Sequence, residues 1–198
     1  MSHVDKVKWD QKYRNKPQLL LPRKESHLLH MYAKKTSDLS ALDLACGSGR
    51  NSLYLANCGY RVEAIDIAGV ALEVLNTTAK EQGLEDVLST RLMDLASYQP
   101  PKETFELIIM MNFLDRALIK RSQDALKVGG RYIVETYMAS EENEKSNSKM
   151  SNLLQAGELK SLFDARFEVL YYDECHNEEQ EIYRMKKQMI VVEKRKVK

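Results

Sequence analysis

Cysteine is scarce in this chain, and no apolar run is long enough to cross a membrane. The three cysteines, Cys46, Cys58 and Cys175, are an odd number without C-x-x-C spacing. This argues against a disulfide framework or a zinc site and favours a reducing compartment. The longest apolar stretch, residues 107–114, is far shorter than the roughly 20 residues of a spanning helix. The first residues lack the apolar core of a signal peptide, so we expect a cytoplasmic protein without a membrane partner.

An excess of one charge is also missing. The chain has 30 Lys and Arg against 29 Asp and Glu, a formal net charge of +1, so no overall field attracts nucleic acid. The basic residues at 194–198 have no interleaved aromatic platform for bases. His27 and His30 have metal-ligand spacing but no visible third ligand, so we predict no metal site. The 198 residues suit one domain, with a monomer and a homodimer both open.

The most informative segment is residues 42–68, LDLACGSGRNSLYLANCGYRVEAIDIA. It has the pattern of an apolar strand, a glycine-bearing turn, a helix and a second strand that ends at Asp66. Gly47 and Gly49 carry no Cβ, so the backbone can turn sharply and approach a ligand closely. An acidic residue at the end of the second strand is placed to accept hydrogen bonds from ribose hydroxyls. The pattern predicts a site for a nucleotide-like cofactor on a parallel sheet.

Apolar strands alternate with helical segments along the chain, which indicates a doubly wound, Rossmann-like α/β fold. We predict strands at residues 40–44, 60–65, 87–93, 105–111, 131–137, 167–172 and 185–192. We predict helices at residues 26–35, 51–57, 68–82, 115–127 and 155–165, with residues 1–35 as an N-terminal helical cap. The polar segment 139–152 is typical of a mobile surface loop. A lid over the reaction site is the alternative, because the segment leaves the carboxyl end of a strand.

The turn Asp43-x-Ala45-x-Gly47-x-Gly49 resembles motif I of the class I S-adenosylmethionine-dependent methyltransferases. The longer string CGSGRNSLYLANCGYRV is similar to the tellurite-resistance methyltransferases and their small relatives. VKWDQKYRNKP resembles their W-D-x-x-Y segment, and LLQAGELKSLFDARFEVLYYDE resembles their G-E-L helix and sixth strand. The resemblance covers about residues 9–192. It implies a mostly parallel seven-stranded sheet with the last strand antiparallel, and methyl transfer from S-adenosylmethionine to a small molecule.

The resemblance also implies where the cofactor would bind. The turn would line the methionine end, and Asp66 would bind the ribose hydroxyls with the next residue packed on the adenine. Asp94 and the amide of Leu95 would read the adenine edge, and a carbonyl in residues 110–112 would meet the cofactor's ammonium. Trp9 either covers the cofactor or anchors the N-terminus, and Arg14 either pairs with the methionine carboxylate or is an exposed basic side chain. The implied cofactor-binding positions are Trp9, Arg14, Asp43, Ala45, Cys46, Gly47, Gly49, Asp66, Ile67, Asp94, Leu95, Met111 and Asn112.

His176 and Arg184 are the candidate residues at the methyl acceptor. An arginine would hold an anionic substrate, and a histidine would orient or deprotonate one. The tellurite-resistance enzymes have a His-Arg pair in this region, although here Asn177 follows His176 and the loop spacing differs. A solvated hairpin is the alternative for both residues. Asn112 and Arg116, after the fourth strand, are second candidates, with the start of a helix as the alternative role of Arg116. A chalcogen oxyanion or a thiolate would need no catalytic base.

Other functions remain open. A nicotinamide-dependent oxidoreductase is the first alternative, although its G-x-G-x-x-G fingerprint is broken at Ser52. A non-catalytic regulatory protein that binds S-adenosylmethionine would keep the same turn. A methyltransferase acting on protein or RNA is a third alternative, but the near-neutral charge counts against RNA.

Overall fold

The computed structural model describes residues 3–145, 149–177 and 183–196. In these residues the strands are β1 (Ser40–Leu44), β2 (Arg61–Asp66), β3 (Leu88–Leu92), β4 (Phe105–Met111), β5 (Leu126–Tyr137), β6 (Phe167–His176) and β7 (Lys186–Lys194). They form one sheet in the order β3-β2-β1-β4-β5-β7-β6. The β1–β2 and β2–β3 pairs are parallel, whereas β7 runs antiparallel to β5 and β6. The predicted fold class is confirmed.

The helices are α1 (His3–Asn15), α2 (His27–Tyr32), α3 (Arg50–Asn57), α4 (Gly69–Glu81), α5 (Arg116–Ser122) and α6 (Glu158–Ser161). Short 3-10 turns lie at Pro17–Leu20, Gln123–Ala125 and Met150–Asn152. None of the helices in the described residues is long and apolar enough to cross a membrane. The chain divides into two compact units, Met1–Gln99 with Phe105–Ile109 and Pro100–Thr104 with Met110–Lys198.

Buried apolar strands form the core of the first unit. β1 is buried from residue 41 to residue 44, as expected for a parallel strand covered on both faces. Leu55 of α3 and Leu75 of α4 are fully buried. The N-terminal helix α1 is tied to α4, because the Oδ1 atom of Asp10 accepts a hydrogen bond of 3.1 Å from the amide of Val70. This carboxylate satisfies one of the amides that a helix leaves unpaired in its first turn.

The core of the second unit is an antiparallel sheet with a buried ion pair. β5 pairs with β7 from Arg131 opposite Glu193 to Tyr137 opposite Lys187. The Nζ atom of Lys187 lies 2.7 Å from Oε1 of Glu135, and both side chains are almost completely buried. Two opposite charges removed from water stabilise each other only while both are present. The pair therefore constrains how these two strands align.

Several boundaries of the predicted elements are wrong, and glycines account for two of them. The helix predicted to 127 ends at Ser122, and Gly129, at φ +80°, lies inside β5 instead of closing a helix. The helix predicted at 155–165 is only Glu158–Ser161. Its start is set by Gly157, whose φ of +71° is incompatible with a right-handed helix. The helix predicted at 26–35 ends at Tyr32, and the last two strands are longer than predicted.

The polar segment after β5 contacts the β6–β7 region. Glu144 donates its amide to the carbonyl of Arg184 at 3.0 Å and accepts the amide of Arg184 on Oε2 at 2.8 Å. Oδ1 of Asn143 accepts the amide of Lys186 at 2.7 Å. The predicted mobile loop 139–152 also includes residues 146–148, and the predicted hairpin connection includes residues 178–182. Both stretches lie outside the described residues.

We expect Lys187→Met to lower the free energy of unfolding by about 3–5 kcal/mol, because the Glu135 carboxylate loses its buried ammonium partner. The double variant Glu135→Leu/Lys187→Met should recover most of this loss, since two apolar side chains replace both charges. Urea unfolding measures both changes. Lys186→Met, at the half-buried neighbouring position, is the control and should change stability by less than about 1 kcal/mol. A Lys187→Met protein as stable as this control would contradict the role of the pair.

Candidate functional site

The turn between β1 and α3 has a backbone conformation that only glycine adopts without cost. Gly47 and Gly49 have φ values of +57° and +82°, and Ala45 shares the left-handed region at +61°. A Cβ on Gly49 would lie 2.1 Å from Cδ1 of the buried Leu75. The residue at 49 therefore has to be glycine for both steric and conformational reasons. Ala45 is an L-residue in a region that costs roughly 1–2 kcal/mol, so strain is stored at this turn.

Asp66 fastens this turn to the end of β2. Its Oδ2 accepts the amide of Gly47 at 2.8 Å, and its Oδ1 accepts the amide of Ala68, which precedes α4, at 2.8 Å. Burial raises the pKa of Asp66, while the hydrogen bonds from these backbone amides act in the opposite direction. An ionised carboxylate offers about four acceptor positions, so it keeps acceptor capacity for the hydroxyls of a ribose.

Ser52 occupies the position where a dinucleotide turn has its third glycine, and it has a partner in β1. Its Oγ donates to Oδ2 of Asp43 at 2.6 Å, and both side chains are buried. Burial raises the pKa of Asp43 to about 7, and the nearby charge of Asp66 adds to the increase. The hydrogen bond from Ser52 and the charge of Arg50 oppose it. The structure thus places the Asp43 carboxylate against α3, where only 2% of the residue is exposed.

The N-terminal helix brings Tyr13 to the turn, a residue that the sequence analysis missed. The Tyr13 hydroxyl would lie 3.1 Å from a Cβ placed on Gly47. Burial and then the charge of Asp66 raise the pKa of Tyr13, so it remains a protonated hydrogen-bond donor. Trp9 is half-buried with the Nζ atom of Lys12 3.8 Å from its ring centroid, and Arg14 is exposed. The final tyrosine of the W-D-x-x-Y segment was the signal for Tyr13.

The remaining predicted positions of the first unit lie after β2 and β3. Ile67 is half-buried and Leu95 is buried. Oδ1 of Asp94 accepts the amide of Ala96 at 2.8 Å. Cys46 lies in the turn and donates its amide to the carbonyl of Ile65 at 3.1 Å. Burial raises the pKa of the Cys46 thiol well above its usual range, so this cysteine is not an activated nucleophile.

The surroundings of the Arg50 side chain indicate whether the turn can bind the predicted cofactor. It is the first residue of α3, and its Nη1 atom is buried with no hydrogen-bond partner in the part of the chain that the structure describes. A buried donor without an acceptor costs free energy, and a carboxylate is the acceptor that a guanidinium prefers. The methionine end of S-adenosylmethionine carries such a group, so the residues at the turn fit this cofactor. Arg50 was not among the predicted positions.

In the second unit, the structure brings His176 and Arg184 together. Nη2 of Arg184 lies 3.3 Å from Nδ1 of His176. Nε2 of His176 lies 3.2 Å from Oε2 of Glu142, whose Oε1 lies 2.5 Å from Nζ of Lys186. The hydrogen bond from Lys186 lowers the pKa of Glu142. This cluster of one imidazole, two cations and a carboxylate can hold an anion and exchange a proton. Glu142 and Lys186 were missed by the sequence analysis.

Two further positions after β4 differ in their roles. Met111 is buried, and Asn112 adopts φ +58° and donates its amide to the carbonyl of Glu135 at 2.7 Å. Arg116 forms a double hydrogen bond with Glu158 and donates to the carbonyls of Ser151 and Leu153. Its guanidinium anchors the segment before α6, so the prediction that Arg116 meets substrate is not supported.

Within residues 3–145, 149–177 and 183–196 no group of acidic, histidine and cysteine side chains could hold a metal ion.

Comparison with known proteins gives the same family along most of the chain. Residues 9–192 match the family model described as tellurite resistance protein TehB. A probable S-adenosyl-L-methionine-dependent methyltransferase TehB of Haemophilus influenzae is 34% identical over 116 residues, which cover 56% of this chain and 40% of the relative. A ubiquinone biosynthesis O-methyltransferase of Idiomarina loihiensis is 30% identical over 118 residues, or 57% and 46% of the two chains. The match spans less than half the length of these curated relatives.

Solved structures share the fold. The crystal structure of TehB from H. influenzae superposes with a TM-score of 0.72 at 25% identity, covering 85% of this chain and 60% of that one. A methyltransferase from Methanosarcina mazei, described as SAM-dependent, superposes with a TM-score of 0.68 at 22% identity, covering 87% and 99%. The second likeness shows the fold alone.

Replacing Asp43 by asparagine should remove a pH dependence of stability. Because its pKa is raised in the folded state from 3.8 to about 7, the folded protein holds this proton where the unfolded chain releases it. The free energy of unfolding of the wild type should therefore decrease, by up to about 4 kcal/mol, as the pH rises through this window. Asp43→Asn still accepts from Ser52 and should lack this decrease.

Urea unfolding from pH 4 to pH 8 tests this, with Asp38→Asn as the exposed control that should keep the wild-type profile. Parallel profiles for Asp43→Asn and the wild type would show that Asp43 is already ionised in the folded protein at low pH.

Proposed function

Because the chain belongs to the tellurite resistance protein TehB family, we propose that it transfers a methyl group from S-adenosylmethionine to a small-molecule acceptor. The observation that carries the cofactor assignment is the carboxylate of Asp66, which accepts from Gly47 and Ala68 and holds the turn in its left-handed conformation. The acceptor capacity that this carboxylate keeps suits the hydroxyls of a ribose.

Several residues of the first unit would bind the cofactor. The backbone of residues 45–49 would line the methionine end, with Cys46 as a small half-buried neighbour and the Tyr13 hydroxyl as a donor beside Gly47. Nη1 of Arg50, not the exposed Arg14, would meet the methionine carboxylate.

The rest of the binding site stays a prediction from the resemblance. Ile67 would pack on the adenine, and Asp94 and Leu95 would bind its polar edge. The assignments of Trp9, Met111 and Asn112 rest on the resemblance alone. The assignment of the Asp43 carboxylate as a cofactor contact also rests on the resemblance alone. Its hydrogen bond with Ser52 supports a different role, which is to hold α3.

The bound cofactor supplies an electrophilic methyl group on a sulfonium, a good leaving group. What the chain has to add is alignment, exclusion of water and, for some acceptors, removal of a proton. Arg184 would hold an anionic oxygen of the acceptor with its guanidinium. His176 would take a proton from an acceptor that carries one. A chalcogen oxyanion or a thiolate would need only the first of these roles.

The alternatives make different use of the same residues. A nicotinamide-dependent oxidoreductase needs a bare third glycine for close helix packing, whereas here Ser52 forms a hydrogen bond from that position. A regulatory protein that binds the cofactor without turnover would need no cluster of His176, Arg184 and Glu142.

A panel of acceptors incubated with methyl-labelled S-adenosylmethionine tests the proposal. The panel should contain tellurite, selenite and small thiols. Phenols belong in it because relatives are described as ubiquinone biosynthesis O-methyltransferases. We expect label in at least one acceptor, detected by mass spectrometry together with S-adenosylhomocysteine. Cofactor binding without label in any acceptor would favour the regulatory protein.

We expect Asp66→Ala to weaken S-adenosylmethionine binding at least about 100-fold, since two hydrogen bonds to a charged acceptor are worth about 3 kcal/mol or more. Titration calorimetry measures the affinity, and urea unfolding in the same buffer shows whether the variant is folded. Glu63→Ala is the matched control from the same strand, because Glu63 contacts Tyr98 and Arg91 instead. It should bind the cofactor like the wild type. Wild-type affinity in folded Asp66→Ala would refute the ribose assignment.

A further inference from the structure

The carboxylate of Glu142 bridges the imidazole of His176 and the ammonium of Lys186. His176 is the last residue of β6, Lys186 is the first of β7, and the two are opposite each other in the antiparallel register. One carboxylate oxygen lies 3.2 Å from Nε2 of His176, and the other lies 2.5 Å from Nζ of Lys186. Glu142 thus contacts both strands at their shared end.

The contact with Arg184 determines which imidazole nitrogen carries the proton. A guanidinium has five donors and no acceptor, so Nη2 of Arg184 has to donate to Nδ1 of His176 across their 3.3 Å contact. Nδ1 then carries the lone pair, and the neutral ring has its proton on Nε2. That nitrogen is buried and forms no hydrogen bond with the described residues, but the negatively charged carboxylate of Glu142 lies 3.2 Å from it. A proton on Nε2 is favoured beside this charge. The two neighbours therefore favour the same tautomer.

We propose that Glu142 is a positioning residue that holds His176 as the Nε2–H tautomer, so that Nδ1 is the atom that takes a proton from the methyl acceptor. The proposal rests on the proposed methyl transfer and on the placement of His176 and Arg184 at the acceptor. It adds the atom that acts as base and the residue that orients it.

The residues next to Glu142 hold it in place. Asn143 accepts the amide of Lys186 and donates its Nδ2 to the carbonyl of Met138 at 2.9 Å. Glu144 forms two hydrogen bonds with the backbone of Arg184. An exposed ion pair is normally weak because two long side chains have to be ordered. Here the backbone on the C-terminal side of Glu142 is already fixed, so less conformational freedom is lost when its carboxylate meets His176.

The arrangement predicts the class of acceptor that uses this base. An anionic oxygen of the acceptor would replace Nδ1 as the partner of the Arg184 guanidinium, which frees the Nδ1 lone pair. An O–H or S–H of the same acceptor would then give its proton to Nδ1, and its electron pair would form the new bond to the methyl carbon. The electron pair of the broken carbon–sulfur bond stays on sulfur. The Nε2–H stays on the ring, beside the Glu142 carboxylate.

An acceptor that is already deprotonated would not need this step. Loss of Glu142 should therefore lower turnover of acceptors with a proton to lose more than turnover of fully ionised acceptors. Among the described residues, the charged groups that face His176 are Arg184, Glu142 and Lys186, and the Glu144 carboxylate binds the Arg184 amide. All assays should be run at one fixed pH so that these groups keep their charge.

Ring-nitrogen NMR of the protein labelled with ¹⁵N-histidine tests the tautomer without any cofactor or acceptor. In the wild type we expect His176 to show a protonated Nε2 and an unprotonated Nδ1. In Glu142→Ala the ring loses the carboxylate charge beside Nε2 and can turn from Arg184, so the Nδ1–H tautomer should rise to about a tenth or more of the population. Glu142→Gln keeps the size of the side chain but loses its charge, so the population of the Nδ1–H tautomer should lie between those of the wild type and Glu142→Ala. Glu141→Ala is the control, an exposed neighbour that should change nothing.

Steady-state kinetics with the methyl acceptor form the second arm. Glu142→Ala should lower kcat about tenfold or more for a protonated acceptor, with a smaller loss in Glu142→Gln and none in Glu141→Ala. KM for S-adenosylmethionine should not change. A wild-type His176 with its proton on Nδ1 would overturn the proposal whether or not any acceptor is methylated. A wild-type tautomer and kcat in Glu142→Ala would overturn it too. If the wild type shows the expected Nε2–H tautomer but methylates no acceptor, the proposed function is rejected, whereas the tautomer assignment stands.

Discussion

The hydrogen bonds that the Asp66 carboxylate accepts from Gly47 and Ala68 are the interaction on which the first unit depends. They join the turn after β1 to the start of α4 and keep the turn in a left-handed conformation that is unfavourable by itself. The neighbouring contacts support this: α1 is fastened to α4 through Asp10, and Ser52 binds the carboxylate of Asp43. The turn is therefore formed before any ligand arrives, and preorganisation of this kind reduces the cost of binding.

Charge pairing has a comparable role in the second unit. The buried pair of Lys187 and Glu135 lies between β5 and β7. Lys187 directly follows Lys186, the first residue of β7. A shift of one residue in the register of β7 would turn its side chains to the opposite face. The ion pair would then be broken, and the residues paired with His176 would change. The positions of Glu142, His176 and Arg184 thus depend on the register that the buried pair favours.

Much of the first unit was predictable from the sequence because each element carries its own local signal. The strands at 40–44 and 105–111 have the predicted limits, and the two strands between them differ by one residue at each end, since buried apolar runs and glycines mark their ends. The roles of Tyr13, Arg50 and Ser52 could not be predicted, because they follow from contacts between residues distant in sequence or from burial of one atom. The extent of β5 was wrong because Gly129 and Gly130 look like a helix end but lie within a strand. The sequence predicts only a polar loop around Glu142. Its role follows from its short distance to His176 in the structure.

Calorimetric titration of the wild-type protein with S-adenosylmethionine, S-adenosylhomocysteine and a nicotinamide dinucleotide tests the central claim most directly. If the turn held by Asp66 is a site for the methyl donor, the first two ligands should bind with one-to-one stoichiometry and the third should give no heat of binding. Binding of the nicotinamide cofactor in place of the other two would contradict the assignment. A folded protein that binds none of them would show that the turn connects a strand and a helix without serving as a cofactor site.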